Sequence, residues 1–116
     1  MQIEKILKER VVLGYKNYFV DFVSQLKENE ARKIFYVIDM LKVQERVSSK
    51  FVKHIKDGLY EIRAESEGNI FRMFFIFDEG NIVILFNGFQ KKSMKTPKKE
   101  IETALKLKEE YYASKK

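Results

Sequence analysis

The sequence predicts an α+β fold in the order β-α-α-β-β-β-α, an antiparallel meander sheet packed by a helical hairpin. Three observations carry this. Apolar residues recur at helical spacing twice in the N-terminal part of the chain. From Leu59 the period shortens to that of strands, in three runs separated by Glu67-Gly68-Asn69 and Glu79-Gly80-Asn81. A segment with five lysines, Lys91, Lys92, Lys95, Lys98 and Lys99, then follows the last run and leads into a helix headed by Pro97.

Each element has its own justification. After a charged lead, Arg10 to Tyr15 is a short β-branched run and reads as a first strand. Asn17 can cap the helix that follows, in which Phe19, Phe22, Val23 and Leu26 fall at i, i+3, i+4 and i+7. Lys27 to Asn29 is the turn, and Asn29 with Glu30 starts a second helix. Its face is Ile34, Val37, Ile38 and Leu41, with Phe35 widening the stripe. So short a connection makes the two helices an antiparallel hairpin whose stripes are core. Gln44 to Lys50 loses periodicity and reads as an exposed connection into Phe51 to Gly58. Leu59 to Ala64, Ile70 to Asp78 and Ile82 to Phe89 are the meander, its Gly turns suited to positive φ. Six of the ten phenylalanines lie between Phe71 and Phe89, so at least one face of the sheet is buried. Thr96 as N-cap and Pro97 at the first helical position start a final helix to about Tyr112. Its face is Ile101, Ala104, Leu105 and Lys108, a narrow stripe that suits a helix lying across the sheet edge and able to move. Ser114 to Lys116 should fray.

Length and composition bound the function. The 116 residues suffice for a single domain, 1–116, with one core. Without cysteine, neither a disulfide nor a Cys-ligated metal site can form, and no His/Asp metal spacing, Walker loop or Ser/His/Asp arrangement is found. No cofactor is therefore expected. No run reaches the ~18 apolar residues of a membrane span, so a soluble cytoplasmic protein is the expectation. Lys and Arg outnumber Asp and Glu 23 to 17, a net charge of +6 that favours an anionic partner or serves solubility.

Polar residues interrupt the sheet in a pattern. Glu61 and Arg63 share a face opposite Tyr60 and Ile62. Arg72 and Asp78 share one opposite Phe71, Met73, Phe75 and Phe77, and Asn87, Phe89 and Lys91 align on the last strand. If these lie on one side, Arg63, Arg72, Asn87 and Lys91 converge on a basic concave surface. The alternative pairs each arginine with Glu61 or Asp78. Lys98 and Lys99 occupy the first turn of the last helix, the end the macrodipole makes unfavourable for cations by about 0.3–1 kcal/mol each. Local rules that fail often mark a functional site, and lysines beside helix N–H groups suit a phosphate. A solvated basic turn is the plainer reading. His54, the one histidine, lies beside Lys53 and Lys56 and either moves protons or caps a loop backbone. Phe89 either stacks on a nucleobase or belongs to the core, whereas Tyr36 and Tyr60 read as packing residues.

Phe51-Val52-Lys53-His54-Ile55, Gly58-Leu59-Tyr60-Glu61-Ile62-Arg63, Phe71-Arg72-Met73-Phe74-Phe75 and the stretch from Asn87-Gly88-Phe89-Gln90-Lys91-Lys92 through Lys95-Thr96-Pro97-Lys98-Lys99-Glu100 to Ala104 together carry a family resemblance. Over residues 10 to 112 the chain resembles the phage-derived HigB-like toxins of the RelE/ParE superfamily. The resemblance implies a RelE-like fold and an mRNA endonuclease that works on the translating ribosome. It also implies neutralisation by a cognate antitoxin, often of the helix-turn-helix type. Many relatives have His where this chain has Asn87, which removes one candidate proton-transfer group.

Metal-independent RNA cleavage uses the 2′-OH as nucleophile, so the protein must accept its proton, stabilise phosphate charge and assist the leaving 5′-oxygen. Arg63 and Arg72 resemble the phosphate-stabilising strand arginines of the family, and Lys91 and Lys95 complete the candidate catalytic set. A lysine crowded by like charges has a lowered pKa and can serve as a neutral base. Lys92, Lys98, Lys99, Phe89, Asn87, Lys53 and His54 are candidate RNA or phosphate contacts. A ParE-like inhibitor of DNA gyrase without enzymatic activity is the alternative, and a degenerate antitoxin-binding module is a third.

Overall fold

The computed structural model describes residues 9–92 and 97–115. The elements are β1 (Val11–Gly14), α1 (Tyr18–Ser24), α2 (Glu28–Val43), β2 (Val52–Lys56), β3 (Leu59–Ser66), β4 (Asn69–Phe77), β5 (Ile82–Lys91) and α3 (Lys98–Ser114). The α+β class stands, with one strand more than the sequence pattern suggests. Among the described residues the strands form one sheet in the order β1-β5-β4-β3-β2, antiparallel throughout except that β1 runs parallel to β5.

The extra strand, β2, is an edge strand whose residues are partly or wholly exposed, and a bulge between His54 and Lys56 interrupts its pairing with β3. Exposure on both faces and the bulge hide the alternation that identifies a strand.

The sheet is covered on both sides. One face packs on the α1–α2 hairpin through Ile34, Val37, Ile38 and Leu41, the stripe read from the sequence, with Phe22, Ile62, Phe71, Met73 and Phe75. Phe35 does not widen that stripe; it is exposed and meets Phe19 edge to face. Helix α2 starts at Glu28, one residue before Asn29, and its first turn is closed by the Glu30 carboxylate accepting from the Lys27 N–H at 2.9 Å. On the other face Leu59, Phe74, Ile76, Ile84 and Phe86 pack on Ala104 and Leu107 of α3.

Helix α3 thus lies over the central strands β4 and β5, not across the edge, and its buried stripe includes Leu107 where Lys108 was expected. Polar ties near its C-terminal end help to fix it. The Tyr111 hydroxyl donates to Asp78, Lys115 bonds the same carboxylate at 2.7 Å, and Glu110 accepts from Tyr15 and Lys16. The helix continues through Ser114 with Pro97 at its N-cap position. Thr96, assigned the cap from sequence, lies outside the described residues.

Candidate functional site: a paired-arginine cluster on the sheet

A two-residue turn sets the register of the site. Glu67 and Gly68 both have positive φ, 51° and 82°, the geometry of the tightest hairpins. That turn pairs Ser66 with Asn69 and so places Arg63 directly opposite Arg72. In an antiparallel ladder opposite residues share a face, here the α3 face. Glu61 lies two residues back on the same face, and Lys53 of β2 pairs with Glu61.

Strand β5 reaches this face through an irregularity. Met73 pairs with Gly88 but Phe75 with Leu85, so Phe74 stands opposite both Phe86 and Asn87. Beyond that bulge Phe89 pairs with Arg72, and Lys91 with Ile70, on the arginine side. Gly88 faces the hairpin, where a Cβ would sit 2.4 Å from the Phe22 ring, so the close approach requires glycine.

Part of each alternative is present. The arginines converge, and they do so on one carboxylate: Glu61 Oε1 lies 3.5 Å from Arg63 Nε and 3.4 Å from Arg72 Nε. Asp78 takes no part; it binds Lys115 and Tyr111 at the far end of β4. Glu61 is only 2 % exposed, and its Oε2 has no hydrogen-bond partner among the described residues. Arg72 is buried and donates from Nη1 to the Phe71 carbonyl at 3.2 Å, whereas the Arg63 side chain remains 30 % exposed. Burial pulls the Arg72 guanidinium below its ordinary pKa, Glu61 opposes that shift, and Arg63 adds to it. The two guanidinium groups share the Glu61 carboxylate, Glu65 also acts on Arg72, and the cluster is open on its Arg63 side.

The remaining candidates divide. Asn87 is buried and donates to the Glu100 carbonyl at 3.3 Å and to its carboxylate at 3.2 Å, which ties β5 to the first turn of α3. Phe89 is half-buried, stacked on Phe74 with centroids 5.8 Å apart, and so behaves as a core ring. Lys92, Lys98 and Lys99 are exposed; Lys95 lies outside the described residues. His54 is not brought to the cluster: it pairs with Tyr60 on the opposite face and accepts from the Gly58 N–H at 3.4 Å, the backbone-capping alternative. Glu61 was seen in the sequence only as a counter-ion. Its place between two arginines follows from the Glu67-Gly68 register, the one signal that could have shown it.

No described helix is long and apolar enough to cross a membrane. A search of curated proteins finds no match to the chain. Residues 21–109 match the family model described as phage-derived protein Gp49-like (DUF891), which takes in α1 apart from its first turn, α2, strands β2 to β5 and most of α3, and therefore the whole arginine cluster. The chain thus belongs to the Gp49-like phage-derived protein family, part of the RelE-like toxin group.

Proposed function

We propose that this chain is the toxin of a toxin–antitoxin pair and that it cleaves mRNA on the translating ribosome without a metal ion. The observation that supports this most is the pairing of Arg63 with Arg72 over a single buried carboxylate. Such a cluster is positive, preorganised and partly open, which suits a phosphate whose charge grows during reaction.

In this reading the 2′-oxygen attacks the neighbouring phosphorus, the bond to the 5′-oxygen breaks, and the products are a 2′,3′-cyclic phosphate and a 5′-hydroxyl. Arg63, the exposed member, braces the phosphate oxygens. Arg72 and Glu61 act behind it and hold its plane. Lys91, on the same face, and Lys95 are the candidates for proton transfer. Lys53, Lys92, Lys98 and Lys99 hold the RNA backbone or ribosomal RNA. A cognate antitoxin, of the helix-turn-helix type the family resemblance implies, neutralises the toxin.

The test is induced expression in bacteria followed within minutes by mapping of new mRNA 5′ ends, beside an Arg63→Ala control. Arg63 is the better control because Arg72, being enclosed, also supports the fold. New ends confined to translated frames, reduced at least ~100-fold by Arg63→Ala, are the expected result; loss of one preorganised donor costs about that much. Growth arrest with no new ends but with DNA damage would overturn the nuclease reading in favour of gyrase inhibition.

A further inference from the structure

A concavity with mixed chemistry adjoins the arginine cluster and wraps the free edge of β3 where β2 stops. Among the described residues, Phe51, which accepts from the Arg63 N–H, is the last of the β2 side to bond this edge, so no strand pairs with it from Ala64 onward. The cleft there has a volume of about 560 Å³, within the range of small-ligand sites. Its walls carry Lys33 and Tyr36 from α2, Lys50 and Phe51 from the connection into β2, and Arg63 and Glu65 from β3. Arg63 and Arg72 therefore line both this cleft and the arginine cluster.

Two features define the ligand. The charge is lopsided, since Lys33, Lys50 and Arg63 face the cleft with Glu65 as the one carboxylate among these six residues. An aromatic platform accompanies it. Tyr36 and Phe51 meet edge to face, centroids 6.1 Å apart at 82°, and Lys50 Nζ sits 5.4 Å from the Phe51 centroid. Tyr36 is nonetheless 57 % exposed, although the sequence pattern marked it as a packing residue. An exposed tyrosine beside a partly buried phenylalanine, among lysines and an arginine, suits single-stranded nucleic acid, because every base has a π-face and every linkage a charge. An acidic peptide would use the cations and leave the rings idle.

We propose that this cleft is a nucleotide subsite of the RNA-binding surface: a base next to the reacting phosphate stacks on Tyr36 while Lys33 and Lys50 hold its flanking phosphates. The inference rests on the RNA-cleaving reading above and gives it a second point of contact on the substrate.

The chain has no tryptophan, so Tyr36→Trp introduces a single reporter. The purified variant is titrated with an eight-nucleotide single-stranded RNA and, separately, with a poly-glutamate peptide. Saturable quenching by RNA is expected. In parallel, the affinity for labelled RNA should fall at least about fivefold in Tyr36→Ala, the lower end for loss of one stacked base, and hold in Tyr36→Phe, with unchanged melting temperatures. An emission unmoved by RNA, an unchanged affinity in Tyr36→Ala, or a response to the peptide alone would overturn the subsite. Because the measurement is of binding, it separates the two ideas. Quenching in a protein that cuts no mRNA keeps the subsite and removes the nuclease, whereas mapped cuts without quenching do the reverse.

Discussion

Strand β4 has a polar cluster at each end of one face, and the two are built on opposite principles. Asp78, just past its C-terminal end, accepts from the Tyr111 hydroxyl, from Lys115 at 2.7 Å and from the Glu79 N–H at 2.8 Å. Its hydrogen bonds to Lys115 and Tyr111 hold its carboxyl at a pKa of about 2. Near the other end, about 20 Å away at ~3.3 Å per residue, one carboxylate serves two arginines and keeps an oxygen without a partner among the described residues. The first cluster is satisfied and fastens α3. The second is unsatisfied: among the described residues Glu61 Oε2 and the Nε atoms of Arg63 and Arg72 have no hydrogen-bond partner, and its Arg63 side is open.

Three measurements distinguish the two clusters. The largest effect belongs to Glu61. Glu61→Ala leaves the Arg72 guanidinium enclosed without its counter-charge and should cost about 3–5 kcal/mol in urea unfolding. Glu61→Gln, which keeps the shape, should cost less and still impair cleavage, because Arg63 loses its anchor. A loss below ~1 kcal/mol for Glu61→Ala would mean that the cluster is as loose as a surface pair.

Acid should act on the other cluster. The folded pKa of Asp78 is depressed, so its contribution is fully present above the unfolded value near ~3.9 and is lost as pH falls through about 2. Amide exchange in the last turns of α3, corrected for its intrinsic pH dependence, should therefore quicken between about pH 4 and pH 2. Asp78→Asn should remove most of that pH dependence.

The smallest effect tests whether charge has been placed against stability. Lys98→Ala with Lys99→Ala relieves two cations in the first turn of α3 and should raise stability by about 0.3–1 kcal/mol per site. Toxicity should fall in the same variant if these lysines hold RNA. Stability and toxicity rising together would assign them to solubility.

What the sequence made legible follows from how local each signal is. The α2 stripe of Ile34, Val37, Ile38 and Leu41 depends only on helical period, and all four residues are buried. The opposition of Arg63 and Arg72 was also encoded, through the two-residue turn at Glu67-Gly68, but it needs that turn to be read as a register. Strand β2 was hidden because an edge strand exposes both faces. In α3, Leu105 and Leu107 compete for the stripe, and only the sheet beneath it shows that Leu107 is the buried one. The Tyr36 cleft had no sequence signal, since it joins α2 to a sheet edge far along the chain.

The parallel pairing of β1 with β5 bears on the order of assembly. Val11 meets Ile82 only when a loop spanning most of the chain closes, and closing a long loop is entropically costly until a surface exists to receive it. The hairpins of β3, β4 and β5 need no such closure. Both arginines can pair as soon as β3 and β4 are formed, while β1 depends on β5, far along the chain. Among the described strands, β1 is therefore expected to join the sheet last.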